Sequence, residues 1–231
     1  MRMRKKKHSA ERIAACSALL IKTEGLNSSD PESFFPESLP VMLEIGCGKG
    51  DFAAGLSAIR RDRNLIAVER VADVAMFALE KAAASSAERP DNLRFIIGNA
   101  EYIGEWFAPH SFEEVFLNFS DPWPRKGEHK RRLTAPSFLR FYSKLLVPGG
   151  TLSFKTDNRD LFLWSVDRFR DAGLEFLALT EDLHGSEFAE GNVMTEYEKR
   201  FVGQGVPICY AKVVFLGELP APEDERKEKK L

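Results

Sequence analysis

The stretch Asn118-Phe119-Ser120-Asp121-Pro122-Trp123-Pro124-Arg125, running on into Lys126-Gly127-Glu128-His129-Lys130-Arg131-Arg132, gathers residue types that can do chemistry together. The apolar run Val115-Phe116-Leu117 before it reads as a buried strand. Pro122 and Pro124 end that strand and hold the next residues extended, because each removes a backbone donor and fixes φ. Asp121 therefore sits at the carboxyl end of a central strand, where open α/β sheets bind their ligands. Trp123 adds a stacking face, and Arg125, Lys126, Lys130, Arg131 and Arg132 add a surface for phosphates. A Lys/Arg run alone is usually just a solvated face. Here acid, aromatic and base arrive in order at a strand end, as a working site requires.

A second constellation lies upstream. Glu44-Ile45-Gly46-Cys47-Gly48-Lys49-Gly50 gives the pattern E-x-G-x-G-x-G after a strand. A glycine-rich turn fits a demand of backbone geometry as well as a ligand. The dinucleotide pattern wants its third glycine at 51, which is Asp51 here, and this disfavours a pyrophosphate on the helix N-terminus. Glu69 closes the next strand, where an acid accepts from both ribose hydroxyls. Asn99, followed by Ala100, closes the third, where an amide oxygen can accept from adenine N6. Together these positions fit an adenosine without phosphates and with an amino-acid tail, which is S-adenosyl-L-methionine.

The elements that must hold these residues follow from the pattern. Strands are predicted at 41–45, 65–69, 93–97, 115–119, 151–154, 176–179 and 213–216. Helices fall at 51–58, 71–82, after Thr134 as an N-cap, and from Asp157 or Asn158 to Gly173. Strands alternating with helices give an α/β fold with a Rossmann-like, doubly wound, seven-stranded and mostly parallel sheet, helices on both faces. No long helix separates the last two strands, so an antiparallel insertion is expected there. Ser9 with Glu11 is read as a helix start, and Phe34 and Phe35 as tucked onto the core.

Composition sets outer limits. The chain has 231 residues, 44% apolar and 29% charged, as in ordinary globular proteins. No apolar run reaches the roughly 20 residues of a spanning helix, and the basic N-terminus lacks an apolar stretch behind it, so no membrane contact and a cytoplasmic location are expected. Cys16, Cys47 and Cys209 form neither a disulfide framework nor a zinc site, and no metal is expected. A net charge of −2 argues against nucleic acid. Two basic blocks, at 2–7 and 125–132, argue for it locally.

The N-F-S-D-P-W-P-R run resembles the active-site motif of the bacterial single-chain tRNA (guanine-N7)-methyltransferases. Phe154-Lys155-Thr156-Asp157-Asn158 and Thr195-Glu196-Tyr197-Glu198 match two further motifs of that family in the right order. The resemblance implies the class I methyltransferase fold. It also implies transfer of a methyl group from S-adenosyl-L-methionine to N7 of a guanine in tRNA, the variable-loop guanine at tRNA position 46. Glu44, Gly46, Gly48 and Gly50 would hold the methionine portion, Glu69 the ribose, and Asn99 and Ala100 the adenine. Asp121 would be catalytic and also face the cofactor. Arg125, Asp157, Thr195, Tyr197 and Glu198 would form the substrate site, with Lys126, Lys130, Arg131 and Arg132 along the RNA backbone.

Guanine N7 is a bare acceptor, so it needs positioning rather than deprotonation. The chain divides into a basic arm, helix and loop (1–40), one S-adenosylmethionine-dependent methyltransferase domain (41–219), and a tail of alternating charge that reads as disordered (220–231). The expected partner is tRNA, with the protein a monomer or homodimer. Two alternatives stay open: a methyltransferase of another substrate, and a non-catalytic RNA-binding subunit on the same fold.

Overall fold

The computed structural model describes residues 8–84 and 91–221. The basic arm and the charged tail lie almost entirely outside the described residues. In chain order these form α1 (Ser9–Ala15), β1 (Val41–Ile45), α2 (Asp51–Ile59), β2 (Asn64–Glu69), α3 (Ala72–Ala84), β3 (Leu93–Ile97), α4 (Ile103–Trp106), β4 (Phe112–Asn118), α5 (Pro136–Leu145), β5 (Leu146–Thr156), α6 (Arg159–Asp171), β6 (Glu175–Thr180), α7 (Glu196–Val202) and β7 (Cys209–Phe215). One seven-stranded sheet has the order β3-β2-β1-β4-β5-β7-β6. β1 to β5 are parallel, and β7 slots antiparallel between β5 and β6. This is the class I methyltransferase arrangement expected from the sequence.

Period-two alternation decides what faces what. Val41, Leu43 and Ile45 of β1, Val115 and Leu117 of β4, and Leu152 and Phe154 of β5 join the cluster that α5 and α6 cover with Leu139, Tyr142, Phe162 and Phe169. Met42, Leu65, Ala67 and Phe116 face the other way, onto Phe52, Ala53 and Leu56 of α2 and Ala78 and Leu79 of α3. By the same alternation Glu44, Asn118 and Lys155 share the α2 side of the sheet, one or two steps beyond its apolar residues. Every parallel strand delivers its carboxyl end to one edge. The order of strand succession reverses between β1 and β4, which opens the crevice where such sheets bind ligands.

Several local readings change. Thr134 is not an N-cap: it is buried, its hydroxyl 2.7 Å from that of Ser165, and Ala135 precedes the helix that Pro136 starts. Asn158, not Asp157, caps α6, its Oδ1 accepting from Leu161 N–H at 2.8 Å. Ser9 makes no cap, since α1 begins after His8 in a left-handed conformation. Phe34 and Phe35 do pack on the core. No helix among the described residues is long and apolar enough to cross a membrane.

Candidate active site

The loop after β1 is built around three glycines with positive φ, 80° at Gly46, 57° at Gly48 and 79° at Gly50. At Gly50 the demand is also steric, because a Cβ there would lie 2.7 Å from that of Ala78. Gly46 and Gly48 have nothing within 4 Å of an added Cβ, so the loop borders open space. Glu69, half-buried at the end of β2, accepts from Gly48 N–H at 3.2 Å and from Val71 N–H at 2.9 Å. It thereby fixes the loop's height and remains an acceptor at its rim.

Glu44 is 1% exposed. Its Oε1 accepts from the Asn118 side-chain amide at 3.0 Å, and its Oε2 is buried with no hydrogen-bond partner. Burial pushes its pKa up to about 7, with Glu69 adding to the rise while Asn118 and the charge of Lys155 oppose it. A carboxylate oxygen orphaned beside a glycine cradle is costly unless a cationic ligand completes it. The residues therefore fit S-adenosyl-L-methionine, whose amino-acid ammonium would answer Glu44 and whose ribose hydroxyls would answer Glu69. Burial, with Glu44 and Glu69, holds the Cys47 thiol well above its ordinary pKa, so it offers no nucleophile here.

Asn99 stands at the expected strand end but is exposed and engaged locally. Its Oδ1 accepts from Glu101 N–H at 3.3 Å, capping the 3-10 turn Ala100–Tyr102, and its amide donates to Glu101 Oε2 at 2.9 Å. Serving adenine N6 would require that weak cap to yield. Ala100 is half-buried against the core.

Beyond β4 the backbone turns sharply, with φ of 53° at Phe119 and 40° at Trp123. Neither residue is glycine, so the surrounding structure must hold this strain, as it commonly does at functional loops. Phe119 N–H donates to Lys155 O at 2.9 Å. Arg132 holds the loop from below, donating to the carbonyls of Pro122 at 2.9 Å and Trp123 at 3.2 Å. The RNA-backbone expectation is therefore corrected for Arg132: it is 5% exposed, lies over the Trp164 ring and braces the loop. Arg125, Lys126, Lys130 and Arg131 are exposed. Arg131 lies 3.6 Å from the Trp123 ring centre, so a guanidinium covers one stacking face of that ring. Asp121 is exposed, and its Oδ2 is 3.6 Å from Arg70 Nη2, both side chains more than 60% accessible.

The substrate-side motifs meet the same edge. Asp157, half-buried, follows β5 next to the strand that leads into Asp121. Thr195 caps α7 in a reciprocal capping box with Glu198. Tyr197 is 58% exposed and stacks on Phe119 at 6.5 Å and 22°, with Phe201 also parallel to Phe119 at 6.1 Å. Glu198 is differently placed from its expected substrate contact: it is fully buried. It receives Lys155 Nζ at 2.8 Å, the Asn192 amide at 2.7 Å and His184 Nε2 at 3.1 Å. It acts through the helix it anchors. Burial pulls the Lys155 pKa down while Glu198 and Glu44 pull it up.

Sequence reading missed Asn118, Lys155, Lys49 and Arg70. A lysine inside the apolar strand run Leu152-Ser153-Phe154-Lys155 was the available signal, since buried lysines need partners. Lys49 of the glycine loop pairs with Glu196 of α7 at 2.8 Å, tying the cofactor side to the substrate side.

The chain is similar to known methyltransferases. Residues 38–211 match the family model described as "Putative methyltransferase". A tRNA (guanine-N(7)-)-methyltransferase of Lachnoclostridium phytofermentans is 44% identical over 174 residues, covering 75% of this chain and 80% of its own length. One from Lactococcus lactis subsp. cremoris is 38% identical, covering 94% and 99%. The solved 16S rRNA (adenine(1408)-N(1))-methyltransferase of Catenulisporales acidiphilia, 13% identical and holding its cosubstrate SAM, shares the fold with a TM-score of 0.52 over 95% of each chain. A sheet of this order, an orphaned acid beside a glycine cradle, and relatives matched nearly end to end lead to one assignment: the chain belongs to the tRNA (guanine-N7)-methyltransferase family.

Proposed function

We propose that this chain transfers a methyl group from S-adenosyl-L-methionine to N7 of a guanine in tRNA, giving 7-methylguanosine, with the variable-loop guanine at tRNA position 46 as its target. The observation that carries this reading is the meeting of two half-sites at one sheet edge. Glu44, Glu69 and the glycine loop stand on one side, Asp121, Asp157 and α7 on the other, and Lys49–Glu196 bridges them.

When bound, the cofactor supplies an electrophilic methyl on a sulfonium. The protein's task is placement. N7 carries a free lone pair, so no group has to remove a proton first. Asp121 accepts from guanine N1–H and the exocyclic amine, which selects guanine over adenine. Its charge, with that of Asp157, offsets the positive charge the purine gains. Tyr197, backed by Phe119, gives the base an aromatic wall. Arg125 and the exposed cations Lys126, Lys130 and Arg131 receive phosphates. Unmodified tRNA incubated with methyl-labelled cofactor, digested and chromatographed, should yield labelled 7-methylguanosine, and a tRNA lacking guanine at position 46 should yield none. Label in another nucleoside would favour the reading of a different methyltransferase. Absence of any label, with cofactor bound, would favour an RNA-binding subunit.

A further inference from the structure

Arg70 follows Glu69 directly, at the end of β2, and reaches across the mouth of the glycine loop to Asp121 on the far side of β1. Its Nη2 stands 3.6 Å from Asp121 Oδ2, and the two side chains are 62% and 67% exposed. Two solvated groups at that separation hold each other weakly. The contact is a resting position, and an easily vacated one. It also competes with the reaction, because a guanidinium beside Asp121 Oδ2 crowds an oxygen that guanine needs. It would further place a second positive charge beside a ring that is becoming cationic. Arg70 must therefore leave Asp121 when the base enters.

We infer that Arg70 is a tRNA-contact residue that exchanges Asp121 for a backbone phosphate at the target nucleotide, so that RNA binding itself unmasks the catalytic carboxylate. The chemistry suits this exchange. A guanidinium fork matches phosphate oxygens at least as well as a carboxylate, and the nucleotide whose base approaches Asp121 brings a phosphate to the same rim. Glu69 beside Arg70 is already committed to Gly48 and Val71, so it does not hold the guanidinium back. The site is distinct from the 125–132 run: it comes from the opposite side of β1, next to Glu69, which holds the glycine loop.

This inference rests on the tRNA-methylating reading, and wild-type activity on unmodified tRNA is the control that separates the two. If wild type methylates no tRNA, the functional reading fails, whatever Arg70 does. If it does methylate, Arg70→Ala and Arg70→Lys are compared for tRNA affinity across salt, KM and kcat for tRNA, and calorimetric cofactor affinity. The expected result for Arg70→Ala is a KM raised about fivefold, with kcat changed less than about twofold and a salt slope reduced by about one phosphate contact. Arg70→Lys should restore the slope, and cofactor affinity should stay level in both variants. Three results would overturn the exchange. An unchanged slope would make the pair a surface contact only. A fall in kcat with KM preserved would make Arg70 a fixed orienter of Asp121. Weakened cofactor binding would assign it to the cofactor.

Discussion

Replacing Glu44 with glutamine tests whether this acid is kept in strain for its ligand. It is 1% exposed, Oε2 lacks a partner, and its pKa is pushed from 4.5 up to about 7. An acid whose folded pKa lies above its unfolded one loses stability as pH rises. The cost is absent below about pH 4.5 and complete above about pH 7. A displacement of that size is worth about 3 kcal/mol in full, and about 2 kcal/mol of it falls between about pH 5.5 and pH 8. Glutamine keeps an acceptor for Asn118 and cannot ionise. Urea unfolding of wild type and Glu44→Gln without cofactor should therefore show a stability gap that widens by about 2 kcal/mol in glutamine's favour between those pH values. Calorimetry should show Glu44→Gln binding S-adenosyl-L-methionine more weakly by about 1.5–3 kcal/mol, the worth of a charged hydrogen bond. A gap that stays constant with pH would refute the argument. Glu44 would then be an ordinary ionised partner of Lys155, and its orphaned oxygen would carry no information about a ligand.

Other outcomes follow from the same geometry. Lys155→Met leaves Glu198 charged and fully buried, so unfolding experiments should show a loss of about 3–5 kcal/mol, and adding Glu198→Gln should recover much of it. Asp121→Ala should lose most methyl transfer while still binding cofactor, with Asp121→Asn between it and wild type. The single-turnover rate should be nearly flat from about pH 6 to 9, because guanine N7 carries no proton that has to be removed; a log-linear rise with pH would make Asp121 a base. Neutralising Lys130 and Arg131 together should weaken tRNA binding and cut its salt slope by roughly 0.9 per lost duplex contact. A slope equal to that of wild type would return them to the solvated surface.

The strands closest to the cofactor were the most legible. β1, β2 and β3 are mostly apolar runs closed by Glu69 or by glycine, and their bounds match within a residue. The later strands were read too short. β5 starts at Leu146 because Val147-Pro148-Gly149-Gly150, which looks like a turn, runs on as strand: Leu146 pairs with Phe112 and Gly150 with Phe215. β7 starts at Cys209 because Tyr210 and Lys212 lie on the polar face, where alternation hides the strand from a search for apolar runs. In the candidate site, motifs single out Asp121, Glu69 and Tyr197, but burial is not legible in them. Arg132 looks like its neighbours in sequence and differs from them only because Trp164, Pro122 and Trp123 converge on it in space. Glu198 likewise reads as part of a polar helix start, until Lys155, 43 residues earlier, meets it from β5.

The placement of β7 sets an order of assembly. It is the last of the seven strands to be synthesised, yet it lies inside the sheet, and β6 pairs with nothing else. Until Cys209–Phe215 emerges, β5 has an open edge and β6 has no place in the sheet. A nascent chain can therefore complete β1 to β4 and the cradle around Glu44 and Glu69 before the sheet is closed, with α7 held to it only through side chains such as Glu198 on Lys155. A ribosome that stalls, or a protease that cuts, before residue 209 leaves β6 without its pairing partner and the β5 edge unpaired.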